Sequence, residues 1–288
     1  MKRIDKFVAY MQKEKKTSET IKSYRYHLDY FINTNPRGDK YSYGDLTKVL
    51  EKESSRGAYR VFVAAVKLYY QFLLEHGYRN DNPARLIKLG SRKEHFVQFQ
   101  ELLTRDELEE LLTSRENRYN DTIERNQVII SFLIYQGLTS QEITNIKVDD
   151  IDLDACTVKI RKTAMNKKRV MGLKPKQIMP LTKYMEIRDD LNRYSHKSLL
   201  MSTRNQPYTV DAINRMLGQL KHLIPGKKVN ATTIRQSVIA NWLNADKIEL
   251  GDVQLLAGHR YPSSTIRYRR ADPEEKRKLI NNFHPLAS

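Results

Sequence analysis

One segment of this chain reads as a helix with no face left for solvent. Between Asp121 and Gln136 the residues Val128, Ile129, Ile130, Phe132, Leu133 and Ile134 are apolar almost without interruption, and Gly137 breaks the run. A helix apolar all round must be covered all round, so the elements before and after it have to pack against it. The run falls far short of the roughly 18 apolar residues that a membrane span needs, and no other stretch of the chain approaches that length. Residues 121–136 are therefore expected to form the central buried helix of a domain.

The surrounding pattern predicts a mainly helical domain with one small sheet. Thr104-Arg105-Asp106-Glu107 is a capping box ahead of Leu108, Leu111 and Leu112, and Thr139-Ser140-Gln141-Glu142 opens a further short helix ending near Lys147. Residues 148–153, 157–162 and 169–173 read as three short antiparallel strands. In the middle strand Val158 and Ile160 alternate with Lys159 and Arg161, which gives one packed face and one basic face. Helices follow at about 181–193 and 210–223.

The stretch 232–270 carries the chemistry. Ile234, Val238, Ile239 and Trp242 recur at helical spacing, so 232–243 reads as a helix with Arg235 one position off the apolar stripe, its guanidinium expected to leave the core. A second short helix bearing Val253, Leu255 and Leu256 ends at Gly258, the residue type expected just past a helix C-terminus, and His259 follows in a turn. Nine residues on, Tyr268 is flanked by Arg267, Arg269 and Arg270. A phenol ionises near pH ~10 and is a weak nucleophile unless cations favour its phenolate. Neighbouring guanidiniums supply that bias and also pair bidentately with phosphate oxygens, so a phosphodiester is the matching electrophile.

Arg235, Leu256-Ala257-Gly258-His259 and Tyr268, at this spacing, resemble the second conserved box of the tyrosine recombinases, the family of phage integrases and Xer-type resolvases. Singly, each residue is equally a capping turn or a solvated aromatic; the spacing carries the resemblance. The family implies metal-free transesterification of DNA for integration or recombination, as in mobile elements. Tyr268 would form a 3′-phosphotyrosyl link, Arg235 would clamp the phosphate, and His259 would hydrogen-bond it and assist proton transfer. Lys162-Thr163 resembles the family's hairpin Lys-Thr, which makes Lys162 the general acid, with Lys167 and Lys168 as rivals and solvated lysines as the plainer reading. No cofactor is implied, and the family's assembly is a tetramer on two duplexes.

Residues 1–90 predict four or five helices, from apolar stripes such as Ile4, Phe7, Val8 and Met11, or Tyr59, Phe62, Val66, Tyr69, Tyr70 and Leu73. The arrangement resembles the family's helical core-binding, SAM-like domain, including the run Ser18 to Tyr24 and Asn82-Pro83. Residues 91–101 are expected to be a linker and 102–288 the catalytic domain, closing with a helix begun at Asp272-Pro273. In the family two such domains close around a duplex. Candidate DNA contacts are Lys16, Lys22, Arg25, Arg56, Arg60 and Lys67 in the first domain and Arg161, Lys167, Lys168, Arg260 and Arg267 in the second, with an ordinary solvated face as the competing reading.

The charge agrees with a polyanionic partner: 51 Lys and Arg against 34 Asp and Glu give +17, spread along the chain. Absence of a secretory or lipidation signature favours a cytoplasmic protein. The single cysteine, Cys156, excludes an intrachain disulfide and a cysteine-based zinc site, and is expected to be half-buried in a turn. The seven histidines form no ligand-spaced pair and there is no Gly-rich phosphate loop, so neither a metal nor ATP is expected.

Two positions depart from the family. Its first box reads Gly-Leu-Arg with a Glu three residues beyond the Arg; here Gly137-Leu138-Thr139 precedes Glu142, and the position has become a helix N-cap. Thr232, three residues before Arg235, replaces a histidine and can donate a hydrogen bond but cannot titrate near neutrality; Gln236 is a milder change. A lost phosphate-clamping donor typically costs about 3 kcal/mol in the transition state. Either another cation, Arg161, Lys147 or Arg260, reaches the vacant place, or the chain is a DNA-binding accessory or regulatory relative without chemistry. A type IB topoisomerase would share the chemistry without needing paired sites.

Overall fold

In the computed structural model, which describes residues 3–55, 57–88, 97–113, 122–191 and 195–270, the apolar segment forms helix α6, Ile123–Tyr135. Val128, Ile129, Phe132 and Leu133 are all but inaccessible to solvent. α6 packs against α8 (Pro175–Leu191) on one side and α10 (Ala231–Asn244) on another. At its end Gln136 and Gln177 of α8 exchange amide hydrogen bonds of 2.7 and 3.0 Å, and Gln177 also donates to Ser131 at 3.1 Å. These bonds satisfy polar groups that the apolar packing would otherwise strand.

The sheet is the predicted antiparallel meander in the order β1 (Ile151–Asp152), β2 (Thr157–Ile160), β3 (Arg169–Gly172), with Val158 opposite Ile151 on one side and Met171 on the other. Val158, Ile160 and Met171 face the core while Lys159 is exposed. β1 is shorter than the sequence suggests, because residues 148–150 close into a 3₁₀ turn whose Asp150 carboxylate accepts the Lys147 N–H at 2.9 Å. Cys156 in the next turn is exposed rather than half-buried, with left-handed backbone (φ +49°). That turn uses its carbonyl, which accepts the Leu173 N–H at 2.7 Å.

α8 begins six residues before the position expected from periodicity. Pro175 stands at its first residue, where a missing N–H costs nothing, and Pro180 is carried within it. α9 covers Val210–Gln219 and passes into a 3₁₀ turn at Leu220–Leu223.

The chain divides into two compact units, Met1–Glu94 and His95–Ser288. The first contains α1 (Arg3–Lys13), α2 (Ser18–Thr34), α3 (Tyr43–Lys52) and α4 (Tyr59–Glu75) around a core with Phe7, Phe31, Phe62, Tyr69, Tyr70 and Phe72. Thr17 caps α2 by accepting the Thr20 N–H at 3.2 Å, and Ser42 with Asp45 makes a capping box for α3. Within the segment read as a linker, residues 97–101 belong to the second unit: Val97 and Phe99 pack on the cluster that contains Tyr268. Alternate apolar residues on an irregular segment gave no period to read. Arg56, the rest of the linker and the Asp272-Pro273 helix start lie outside the described residues. No described helix is long and apolar enough to cross a membrane.

Phe132 is fully buried at the centre of α6. Phe132→Ala is expected to cost about 3–5 kcal/mol, read as a lower urea midpoint with an unchanged slope.

Candidate active site

Glu142 is the point from which the site is built. Its carboxylate is completely buried and every side of it is engaged. Thr139, the N-cap of α7 (Ser140–Thr144), donates to Oε2 through its backbone N–H at 2.9 Å and its hydroxyl at 3.0 Å. Arg169, at the start of β3, donates to Oε1 at 2.6 Å, and Arg235 of α10 lies 3.8 Å from Oε2. Burial works against ionisation of Glu142, but the hydrogen bond and charge of Arg169, with Thr139 and Arg235, outweigh it and hold the carboxyl below its ordinary range.

Arg235 does not leave the core. Its side chain is buried, and the guanidinium donates to the carbonyls of Gly137 and Ala257, both at 2.5 Å. One arginine thus ties the end of α6 to the end of α11 (Leu250–Ala257), the two backbone breaks flanking the site. Burial and the neighbouring Arg169 push its pKa below the usual arginine value, against the pull of Glu142.

Gly258 ends α11 in left-handed backbone (φ +69°) as the sequence predicts, and a Cβ there would lie 2.5 Å from Arg169 Nη1. His259 follows, buried, with Nδ1 2.8 Å from the Thr265 hydroxyl, which leaves Nε2 to meet a ligand. The turn between β2 and β3 is fastened to this loop: the Lys167 N–H donates to the Gly258 carbonyl at 2.9 Å, and Asn166 pairs with His259 as an isolated bridge. Burial, and then the charges of Arg235, Arg267 and Arg169, depress His259 to about 4, so its ring is neutral at pH 7.

Tyr268 follows the short helix α12 (Ser263–Ile266) and is 3 % exposed, packed on Ile239, Leu243 and Val253 with its ring stacked on His259 at 6.4 Å between centroids. Its hydroxyl accepts from Arg267 Nη2 at 3.0 Å, and the same guanidinium lies 5.1 Å from the ring centroid. Asn244 at the end of α10 holds the backbone, donating to the Tyr268 carbonyl and accepting the Arg270 N–H, both at 2.8 Å.

Arg235, His259 and Tyr268 line one cleft of about 940 Å³. Among the described residues lining it are three arginines, 235, 260 and 267, and no carboxylate. Thr139 and Thr232, which stand at the two departures, lie in its wall with the N-terminal turn of α10, whose dipole adds positive potential. A cleft so lined suits an anionic group such as a phosphodiester.

The remaining sequence candidates fall elsewhere. Lys162, Lys167 and Lys168 are exposed and outside the cleft wall, although Ala164, Met165 and Asn166 of the same turn form part of it. Of the cations considered for the vacant arginine place, Arg161 is engaged by Asp150 in two bonds of 2.7 and 2.8 Å, Lys147 does not line the cleft, and Arg260 does. Sequence reasoning missed Arg169. Its only signal was position at a strand start, because its partner Glu142 is 27 residues away. In the first unit Lys16, Lys22, Arg25 and Arg60 are exposed, with Lys22 3.2 Å from Glu19 and Arg25 within 3.9 Å of Asp5 and Asp29. Lys67 is half-buried, its ammonium donating to the Ile87 carbonyl at 2.6 Å.

Residues 101–275 match the phage integrase family, and this covers all the cleft-forming elements. The chain belongs to that family. Among its relatives is the tyrosine recombinase XerC of Anoxybacillus flavithermus, 28 % identical over 98 % of this chain and 97 % of the relative. XerC of Bacillus subtilis is 26 % identical over 98 % and 95 %. A solved structure of the XerH site-specific recombinase bound to its difH substrate shares the fold with a TM-score of 0.70 at 17 % identity, covering 90 % of this chain and 78 % of that one. Within the phage integrase family, then, this member carries Thr139 in the first box and Thr232 before Arg235.

Two outcomes follow from the geometry. Glu142→Gln leaves Arg169 and Arg235 as uncompensated buried cations and is expected to cost about 3–5 kcal/mol in chemical denaturation. Because the folded pKa of His259 lies near 4 and the unfolded value near 6.5, the unfolded chain binds the extra proton between those values, and stability is lost as pH falls through that window. Between pH 7 and 5 the loss is expected to exceed that of His259→Gln by about 2 kcal/mol.

Proposed function

We propose that the chain is a site-specific DNA recombinase that cleaves and rejoins DNA through Tyr268. The observation that carries this reading is the carboxylate-free cleft lined together by Tyr268, Arg235 and His259. The Tyr268 oxygen bonds to the phosphorus, the bond to the 5′ oxygen breaks, and a 3′-phosphotyrosyl link and a 5′-hydroxyl result; the hydroxyl of the partner strand then reverses the step. Energy of the phosphodiester is kept in the covalent link, so no nucleotide is consumed.

Arg235, fixed by two carbonyls and compensated by Glu142, stabilises charge on the phosphate. Neutral His259 accepts the phenol proton at Nε2, and the Nε2–H so formed hydrogen-bonds the phosphate. The proton for the leaving 5′ oxygen is assigned to Lys162, at the base of the turn whose tip walls the cleft. The basic residues of both units contact the DNA backbone, and four copies act on two duplexes, as the resemblance in the sequence implies.

The test is covalent trapping. A pool of nicked duplexes with randomised arms is incubated with the protein and resolved under denaturing conditions. The unaltered chain is expected to give a protein–DNA adduct that Tyr268→Phe abolishes, with sequencing of the captured ends giving the site. Binding without any adduct would instead identify a DNA-binding relative without chemistry.

A further inference from the structure

We infer that Arg267 is a catalytic residue that supplies the second phosphate-clamping cation, in place of the arginine absent at Thr139. The inference rests on the recombinase reading above. Four observations carry it. Arg267 Nη2 donates to the Tyr268 hydroxyl at 3.0 Å, so its guanidinium already touches the atom that attacks. Arg267 and Thr139 line the same cleft. The charge of Arg267 reaches His259, where it helps to depress the ring. The arginine is itself exposed, and its described contacts are with Tyr268 alone, so its other nitrogens can meet a ligand.

The geometry decides between the cations. Attacking and reacting atoms approach to about 3–3.5 Å before bonding. A guanidinium 3.0 Å from the attacking oxygen is then within reach of a non-bridging oxygen on the same phosphorus. Arg169 cannot do this: it is buried, its Nη1 is committed to Glu142 and it forms no part of the cleft wall. Arg161 is held by Asp150. Arg260 shares the wall, but no described contact brings it to the nucleophile. Arg267 can also serve the attacking oxygen and the phosphate at once. It donates to the attacking oxygen and would neutralise the phosphorane-like charge as the bond forms.

The test uses the duplex captured by the unaltered protein, in two forms: the natural phosphate, and a methylphosphonate at the scissile position, in which one charged oxygen is replaced by a neutral methyl. On the phosphate, Arg267→Ala is expected to slow adduct formation about 100-fold or more, with Arg267→Lys between it and the unaltered chain. On the methylphosphonate, which develops less negative charge, the gap should narrow markedly. A loss under about tenfold on the phosphate, or an equal loss on both substrates, overturns the assignment, the second outcome marking a structural role. Failure of the unaltered protein to form any adduct counts against the recombinase reading itself and removes this inference with it.

Discussion

The site depends on a carboxylate that never meets solvent. Glu142 sits between two buried guanidiniums, and removing it leaves two positive charges unpaired where desolvation is costly. Two positive groups against one negative leave a net positive charge at the base of the cleft. That surplus stays positive although the protein has buried both guanidiniums. A lone Arg–Glu pair in the same place would be electrically silent.

The same surplus sets the protonation of its neighbour. His259 is buried on one side by Tyr268 and surrounded by the charges of Arg235, Arg267 and Arg169, so the imidazole stays neutral across physiological pH. A neutral ring can both give and take a hydrogen bond, which an imidazolium cannot. An incoming phosphate brings the opposite charge and would ease protonation. The free site is therefore poised to change its proton affinity on binding.

Much of the framework was legible in the sequence because it is local. The apolar run of α6, the Thr139–Glu142 capping box and the Gly258 helix end each depend on residues within a few positions of one another, and each is found where the sequence puts it. What escaped was decided at a distance. Arg235 was expected to point outward from its place beside an apolar stripe; two carbonyls from elements 98 and 22 residues away draw it inward instead. Arg169 was marked only by its place at a strand start, and its partner Glu142 lies 27 residues away. Arg267 looked like one more DNA-contacting cation, and only the fold of the turn after α12 puts its guanidinium on the phenol oxygen. Motif spacing finds residues that share a site, while the direction each side chain faces comes from the tertiary fold.

The fastening of the β2–β3 turn to the loop after α11 has a mechanical consequence. Lys167 and Asn166 are joined through main-chain bonds to Gly258 and His259, so the hairpin bearing Lys162 and the loop bearing the imidazole move as one piece or separate only by breaking those bonds. A displacement of the hairpin tip is then carried to the ring stacked against Tyr268. Because main-chain atoms make this link, side-chain substitutions in the hairpin leave it in place.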